Sequence, residues 1–314
     1  MFRSKGQGEA AHLGDRRQGH SSSQGRGEVR TIESPGLLRG VGRAMALLLL
    51  WAVLYQIVAT VARPLQGLPA YGSAPWRLVA EVLPLVAVLL ATTAMNHLKT
   101  SQWPCWPHQS ARDLVVRSAA GVAMGLVLFV LSFGALAVLG IARVDGVHGV
   151  SELPLWLLAC ALNATFQELL IHGVGFRDLS QTRGGVAGAV VALAFTTVVF
   201  TLLHPGAFED GPVAVANIAL FGLLLGIVVL RERGIVTASL LHAVWNCVGG
   251  IGLGVVSLAD DYPCVADGSL VGPRLLAGGS MGLEGSFVTT VVLLVALILA
   301  SRVLIRRFRF AHRG

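Results

Sequence analysis

Eight long apolar runs follow one another along the chain after its first 43 residues. They cover residues 44–62, 78–98, 118–142, 155–176, 186–204, 213–230, 235–258 and 287–305. Each approaches the length of about 20 residues with which a helix crosses a bilayer. None alternates with the short period of a strand in a membrane β-barrel. The pattern predicts an all-α integral membrane protein, a bundle of about eight transmembrane helices with an intramembrane polar cavity.

The runs divide the chain into four parts. Residues 1–43 are rich in Gly, Ser, Gln and Arg and predict a disordered basic cytoplasmic tail. Residues 44–150 hold the first three helices, and residues 151–258 hold helices four to seven with most of the buried polar positions. Residues 259–314 are expected to form an outer loop, the last transmembrane helix and a basic C-terminal tail.

Composition and charge agree with a membrane location. Hydrophobic residues make up 54% of the chain and charged residues 13%, with a mean hydropathy of +0.71. Soluble domains hold roughly 25% charged residues, so an ordinary soluble protein is excluded. With the N-terminus inside, most Lys and Arg fall on the inner side, whereas Arg63, Arg77, Arg143 and Arg274 fall outside.

This asymmetry predicts a multi-pass cell membrane protein with both termini in the cytoplasm. The net charge of +7 then reports contact between basic tails and the anionic lipid of the bilayer. It does not indicate nucleic acid as a partner. The bias toward Ala, Gly, Val and Arg suggests a GC-rich bacterial genome.

The fourth run carries polar residues that a membrane helix rarely tolerates. Glu168 and His172 share one helical face at a spacing of four, and Asn163 and Gln167 form a second pair. An ionisable group at mid-bilayer costs about 2.5 to 3.5 kcal/mol on insertion scales. The pairs therefore predict either a functional cavity or a hydrogen-bond network between helices without chemistry. Glu81, near the outer boundary, is expected to be an interface residue without a role.

Two further runs add polar side chains. His204 follows Phe200 by four residues at the end of the fifth run, and His242 precedes Asn246 by four in the seventh. A carboxylate and histidines can activate a water molecule as general base, while a histidine and an amide can donate to an oxyanion. None of the three runs that carry these polar residues contains a GxSxG nucleophile signature, so direct attack by water is favoured over an acyl-enzyme.

The order of these three motifs resembles the CPBP family of intramembrane proteases. This family includes the type II CAAX prenyl endopeptidases and the Abi or bacteriocin-processing proteins. The similarity covers residues 153–250. In "QELLIHG", Gln167 and Glu168 align with the two glutamates of the family's EExxxRG motif, His172 with its arginine and Gly173 with its glycine.

The resemblance implies a cavity open to the cytosol and a substrate with a hydrophobic or prenylated segment. Phe200 and His204 match the family's FxxxH motif, and His242 and Asn246 match its HxxxN motif. By that match His204 orients the attacking water, while His242 and Asn246 stabilise the tetrahedral intermediate. Gln167 stands at the position of the family's base, so Glu168 is expected to take that role.

Three hypotheses remain open on the sequence alone. The first is an active endopeptidase that uses Glu168. The second is an inactive family member that acts as a membrane binding or immunity protein. The third adds a metal ion, because side chains of the residue types that bind zinc are available; these are Glu168, His172, His204 and His242. A channel or transporter is the remaining class.

One spacing argues against the resemblance. At about 1.5 Å per residue, His204 lies roughly 27 Å along the fifth run, near its outer end. Glu168 lies closer to the inner end of the fourth run. Straight helices with these bounds would keep the two side chains apart, although the resemblance requires them to be close.

Overall fold

The computed structural model describes residues 36–97, 110–182, 185–257 and 262–311, all within one compact unit. The predicted tail falls largely outside these residues. Its last part, residues 37–43, is already helical, so the first helix begins earlier than the apolar pattern indicates.

Helices make up most of the described chain. They are α1 (Leu37–Gln66), α2 (Ala74–His97), α3 (Ala111–Val138), α4 (Leu153–His172), α5 (Val174–Gln181), α6 (Gly185–Leu202), α7 (Pro205–Asp210), α8 (Pro212–Glu232), α9 (Val236–Asn246), α10 (Arg274–Ala277) and α11 (Phe287–Ala311).

Each predicted run overlaps a helix, but some helices end before the run does: α3 ends at Val138 and α6 at Leu202. Within the described residues, five helical segments are long and apolar enough to cross a membrane, namely α1, α2, α3, the segment of α4 and α5, and α8. Three further apolar helices are shorter, at Val186–Leu202, Val236–Gly252 and Phe287–Arg302. The described residues have the architecture of an all-α membrane bundle whose apolar helical segments differ in length.

The fourth run does not form one straight helix to residue 176, as its apolar pattern predicts. α4 ends at His172, and Gly173 has φ −80° and ψ −120°, outside the helical region. A Cβ atom on Gly173 would lie 2.1 Å from the carbonyl oxygen of Leu169. Only glycine fits this break, after which the chain continues as the short amphipathic helix α5.

The seventh run is also interrupted. α9 ends at Asn246, and Cys247–Gly252 forms a π-helical turn. Such turns are rare and frequently occur at functional sites. Here the turn directly follows the HxxxN motif.

A two-stranded antiparallel ribbon was not predicted. β1 (Ala142–Val147) pairs with β2 (Ala266–Leu270), so that Ala142 faces Leu270 and Val147 faces Ala266. The ribbon joins the connection between α3 and α4 to the connection between α9 and α10. Its short, mixed sequence gives no clear alternation, which is why the apolar pattern alone missed it.

Small residues allow α9 to lie deep in the bundle. A Cβ atom on Gly121 of α3 would lie 2.5 Å from the carbonyl oxygen of Thr237, and one on Gly125 would lie 2.9 Å from that of Leu241. The backbones of α3 and α9 therefore approach closely, as small residues permit in membrane helices. This contact fixes the helix that carries the third motif.

Candidate active site

The carboxylate of Glu168 lies between two histidines. Its Oε2 is 2.8 Å from Nδ1 of His172, one turn later on α4, and its Oε1 is 3.1 Å from Nδ1 of His242 on α9. Glu168 and His172 are 0% and 1% exposed, and His242 is 2% exposed. Because both carboxylate oxygens have a partner, the buried charge is well satisfied.

A phenylalanine connects this group with the second motif. The ring of Phe200, itself 0% exposed, lies 4.5 Å from that of His204 and 5.7 Å from that of His242, centroid to centroid. Both Glu168 and His242 lie within electrostatic range of His204. The structure therefore brings the three motif segments together, as the resemblance requires.

The break after His172 changes the depth in the membrane that straight helices would give to the residues of α6. α5 carries the chain beyond the end of α4 before α6 begins. α5 and α6 pack closely where Gly188 of α6 meets the backbone of Ser180 of α5. As a result Phe200, late in α6, reaches the level of His172, with 6.3 Å between the ring centroids. The spacing argument against a close approach of Glu168 and His204 assumed an unbroken fourth helix, whereas α4 ends at His172.

Comparison with known proteins agrees with this geometry. Residues 149–248 match the family model of the type II CAAX prenyl endopeptidases called Rce1-like. The segment is therefore similar to this family. It contains all three motifs, and the family recognised from their order is thereby confirmed for this part of the chain. No curated protein and no solved structure matches the chain.

Hydrogen bonds indicate which ring nitrogens of the site carry protons. Nδ1 of His204 lies 2.6 Å from the carbonyl oxygen of Phe200 and must donate, since a carbonyl only accepts. In the neutral ring Nε2 is then an acceptor. Nδ1 of His242 likewise donates a hydrogen bond to the ionised carboxylate of Glu168. This bond orients the imidazole ring of His242 and therefore its Nε2.

His172 stands where the Rce1-like pattern has arginine. Its Nε2 is buried and has no hydrogen-bond partner among the described residues. A Cβ atom on Gly226 of α8 would lie 3.4 Å from this nitrogen. His172 therefore donates one hydrogen bond to the carboxylate of Glu168. The rest of its ring fills the space beside Gly226.

Gln167 points away from this cluster. Its Nε2 donates to Oδ1 of Asn163 at 2.7 Å, and Nδ2 of Asn163 donates to Oε2 of Glu81 at 2.7 Å. Glu81 also pairs with Arg77 at 3.2 Å. The residue at the family's base position thus belongs to a second polar network between α2 and α4. It is Glu168 that adjoins the histidines.

The sequence interpretation of Glu81 as a residue of the membrane interface without a role is corrected by this network. Glu81 is 6% exposed and accepts a hydrogen bond from Tyr262 at 3.3 Å as well as from Asn163. Its position near the end of an apolar run suggested a location at the lipid interface. Packing of α2 on α4 covers it instead.

The end of the third motif contacts a short turn that precedes α11. Asn246 is 8% exposed, and its neighbour Trp245 donates from Nε1 to Oε1 of Glu284 at 3.3 Å. Glu284 lies in the turn Leu283–Gly285, outside the Rce1-like segment. Sequence analysis missed it because a single glutamate in a glycine-rich stretch carries no periodic signal.

The zinc hypothesis receives no geometric support at this site. In the described part of the chain, the four side chains proposed as ligands do not form a group whose ligand atoms all lie within 4.8 Å of one another. Both oxygens of Glu168 are already hydrogen-bonded to imidazole nitrogens.

Proposed function

We propose that the protein is an intramembrane endopeptidase of the CAAX type that hydrolyses a hydrophobic or prenylated peptide with a histidine-activated water. The observation that supports this most strongly is the convergence of Glu168, His242 and the pair of Phe200 and His204. The Rce1-like match supports the same class of reaction.

In this proposal His204 is the base. Its Nδ1 is held by the carbonyl oxygen of Phe200, so Nε2 can accept a proton from water as the oxygen attacks the scissile carbonyl carbon. When the tetrahedral intermediate collapses, the C–N bond breaks and His204 gives this proton to the nitrogen, which leaves as an amine. Half-burial leaves His204 accessible to water, whereas Glu168 has no exposed surface.

Glu168 acts through His242 instead of touching the water. When Glu168 and His242 share one proton, it lies on Nδ1 of His242, and Nε2 can only accept a hydrogen bond. When the pair carries a second proton, this proton lies on Nε2, which then donates a hydrogen bond and can stabilise the oxyanion. The side-chain amide of Asn246, one turn further along α9, supplies a second donor. Donors of this kind contribute roughly 10²- to 10³-fold to the rate.

Purified protein in detergent, incubated with a prenylated peptide, tests the proposal. We expect cleavage by the wild type and a loss of roughly 10²-fold or more in His204→Ala, as removal of a general base produces. His97→Ala, which removes an exposed histidine at the end of α2, is the matched control and should cleave normally. Full activity of His204→Ala would refute the assignment.

The alternative of an inactive membrane binding or immunity protein rests on one observation. Gln167 replaces the family's glutamate and is held in the Glu81 network by Asn163. Under this alternative the wild type binds the prenylated peptide without cleaving it.

A further inference from the structure

A group of three side chains lies at one end of the ribbon, apart from the motif residues. His148 directly follows β1, Asp267 lies in β2, and Cys264 precedes β2. One potential ligand atom from each lies within 4.8 Å of the other two. We propose that His148, Cys264 and Asp267 form a Zn²⁺-binding site that closes this end of the ribbon.

The spacing of the ligand atoms fits a metal ion. Nδ1 of His148 lies 3.6 Å from Oδ2 of Asp267, which is too long for a hydrogen bond. In a tetrahedral site with Zn–N and Zn–O bonds of about 2.0 to 2.1 Å, the corresponding edge is about 3.3 Å. The two side chains are 47% and 61% exposed, so small rotations can adjust them.

The backbone holds the three residues in place. The amide of His148 donates to the carbonyl oxygen of Val265 at 2.8 Å, which extends the pairing of Val147 with Ala266. Gly146 leaves room for the carboxylate, because a Cβ atom there would lie 3.1 Å from Oδ2 of Asp267. The ligands therefore come from two chain segments whose register is fixed.

The residue types indicate zinc. A thiolate and an imidazole suit zinc and related transition metals, whereas Ca²⁺ and Mg²⁺ prefer oxygen ligands. Three protein ligands leave a fourth position for water. Binding would tie the connection that leads into α4, the helix of Glu168, to the connection that follows α9, the helix of His242.

A cysteine nucleophile with a histidine base and an aspartate would need a different arrangement. In such a series the imidazole lies between the thiol and the carboxylate, with each bonded to a different ring nitrogen. Here the sulfur of Cys264 and an oxygen of Asp267 themselves lie within 4.8 Å of each other. The three groups converge on one point, as metal ligands do.

Metal binding by the purified full-length chain, freed of any affinity tag and of metal, tests the site. After incubation with Zn²⁺ and desalting, we expect one zinc per chain by mass spectrometry. With Co²⁺ as the probe, the wild type should show thiolate-to-metal absorption. Cys264→Ser should lose this absorption, and His148→Ala and Asp267→Asn should weaken zinc binding at least tenfold.

Two variants serve as matched controls. Asp145→Asn removes another ribbon carboxylate, which is bonded to Ser269 and Arg143, and Cys247→Ser removes a thiol of the π-helical turn. Both should bind zinc as the wild type does. Absence of zinc and of the cobalt absorption in the wild type, or zinc binding retained in Cys264→Ser, would overturn the site. The readout is independent of peptide cleavage.

Discussion

Oε1 of Glu168 and Nδ1 of His242 lie 3.1 Å apart, although 74 residues separate them in the sequence. The contact joins the first motif on α4 to the third motif on α9. In the proposed mechanism this contact lets Glu168 position His242, and the consequences can be measured.

Glu168→Ala should lower kcat by roughly 10²- to 10³-fold, because His242 loses the partner that orients it. It should also destabilise the protein by about 1 to 3 kcal/mol, since two buried imidazole donors lose their acceptor. Glu168→Gln keeps the shape and one acceptor oxygen, so we expect smaller losses of both. Cleavage kinetics and thermal unfolding in detergent measure the two effects. Equal kcat for the wild type and Glu168→Ala would contradict the positioning role.

Gln167→Glu restores the family's glutamate but breaks the second network. The new carboxylate cannot donate to Oδ1 of Asn163, which now lies 2.7 Å from Nε2 of Gln167. We expect a loss of stability of about 1 to 3 kcal/mol and no gain in cleavage, since the side chain at position 167 bonds to Asn163, the partner of Glu81. If the variant cleaves a peptide that the wild type only binds, the protein is an inactive family member.

Gly222→Ala tests the role of the Phe200 ring. A Cβ atom at position 222 would lie 2.8 Å from Cδ1 of Phe200, so the ring must shift relative to His204 and His242. Small displacements of catalytic groups can cost about 10²-fold in rate, and we expect at least a tenfold fall in kcat. Gly134→Ala on α3 is the matched control, because nothing lies within 4 Å of its added Cβ. Comparable kcat in both variants would argue against the ring contact.

Glu284 should make stability depend on pH. Burial raises the pKa of this carboxyl to about 7, against the lowering effect of the hydrogen bond from Trp245. The unfolded chain releases the proton near pH 4.5, whereas the folded chain keeps it until about pH 7. The free energy of unfolding therefore falls as pH rises through this window and levels off above it.

Glu284→Gln removes the titration while its amide oxygen can still accept from Trp245. Between pH 5 and pH 8 we expect the wild type to lose on the order of 2 kcal/mol more stability than the variant. Thermal unfolding in detergent across this range measures the difference. Parallel pH curves for the two proteins would show that the carboxyl does not titrate in this window.

The continuous apolar runs alone predicted the helical membrane architecture, because a bilayer requires long apolar segments whatever their packing. It also located the motif residues, since an ionisable side chain within such a segment stands out on cost alone. The confirmed family resemblance followed from the order of those motifs. These features are local, and they can be read from residues a few positions apart.

Only the tertiary structure decided which polar residues meet. Gly173 permits the break after α4, because a Cβ atom there would lie 2.1 Å from the carbonyl oxygen of Leu169. Beyond the break, the ring of Phe200 lies 6.3 Å from that of His172. Rotation about α4 then sends Glu168 toward His242 and Gln167 toward Glu81. Contacts between distant segments depend on helix ends and packing, which a pattern of apolar runs does not encode. The ribbon that brings His148 to Asp267 is one such contact.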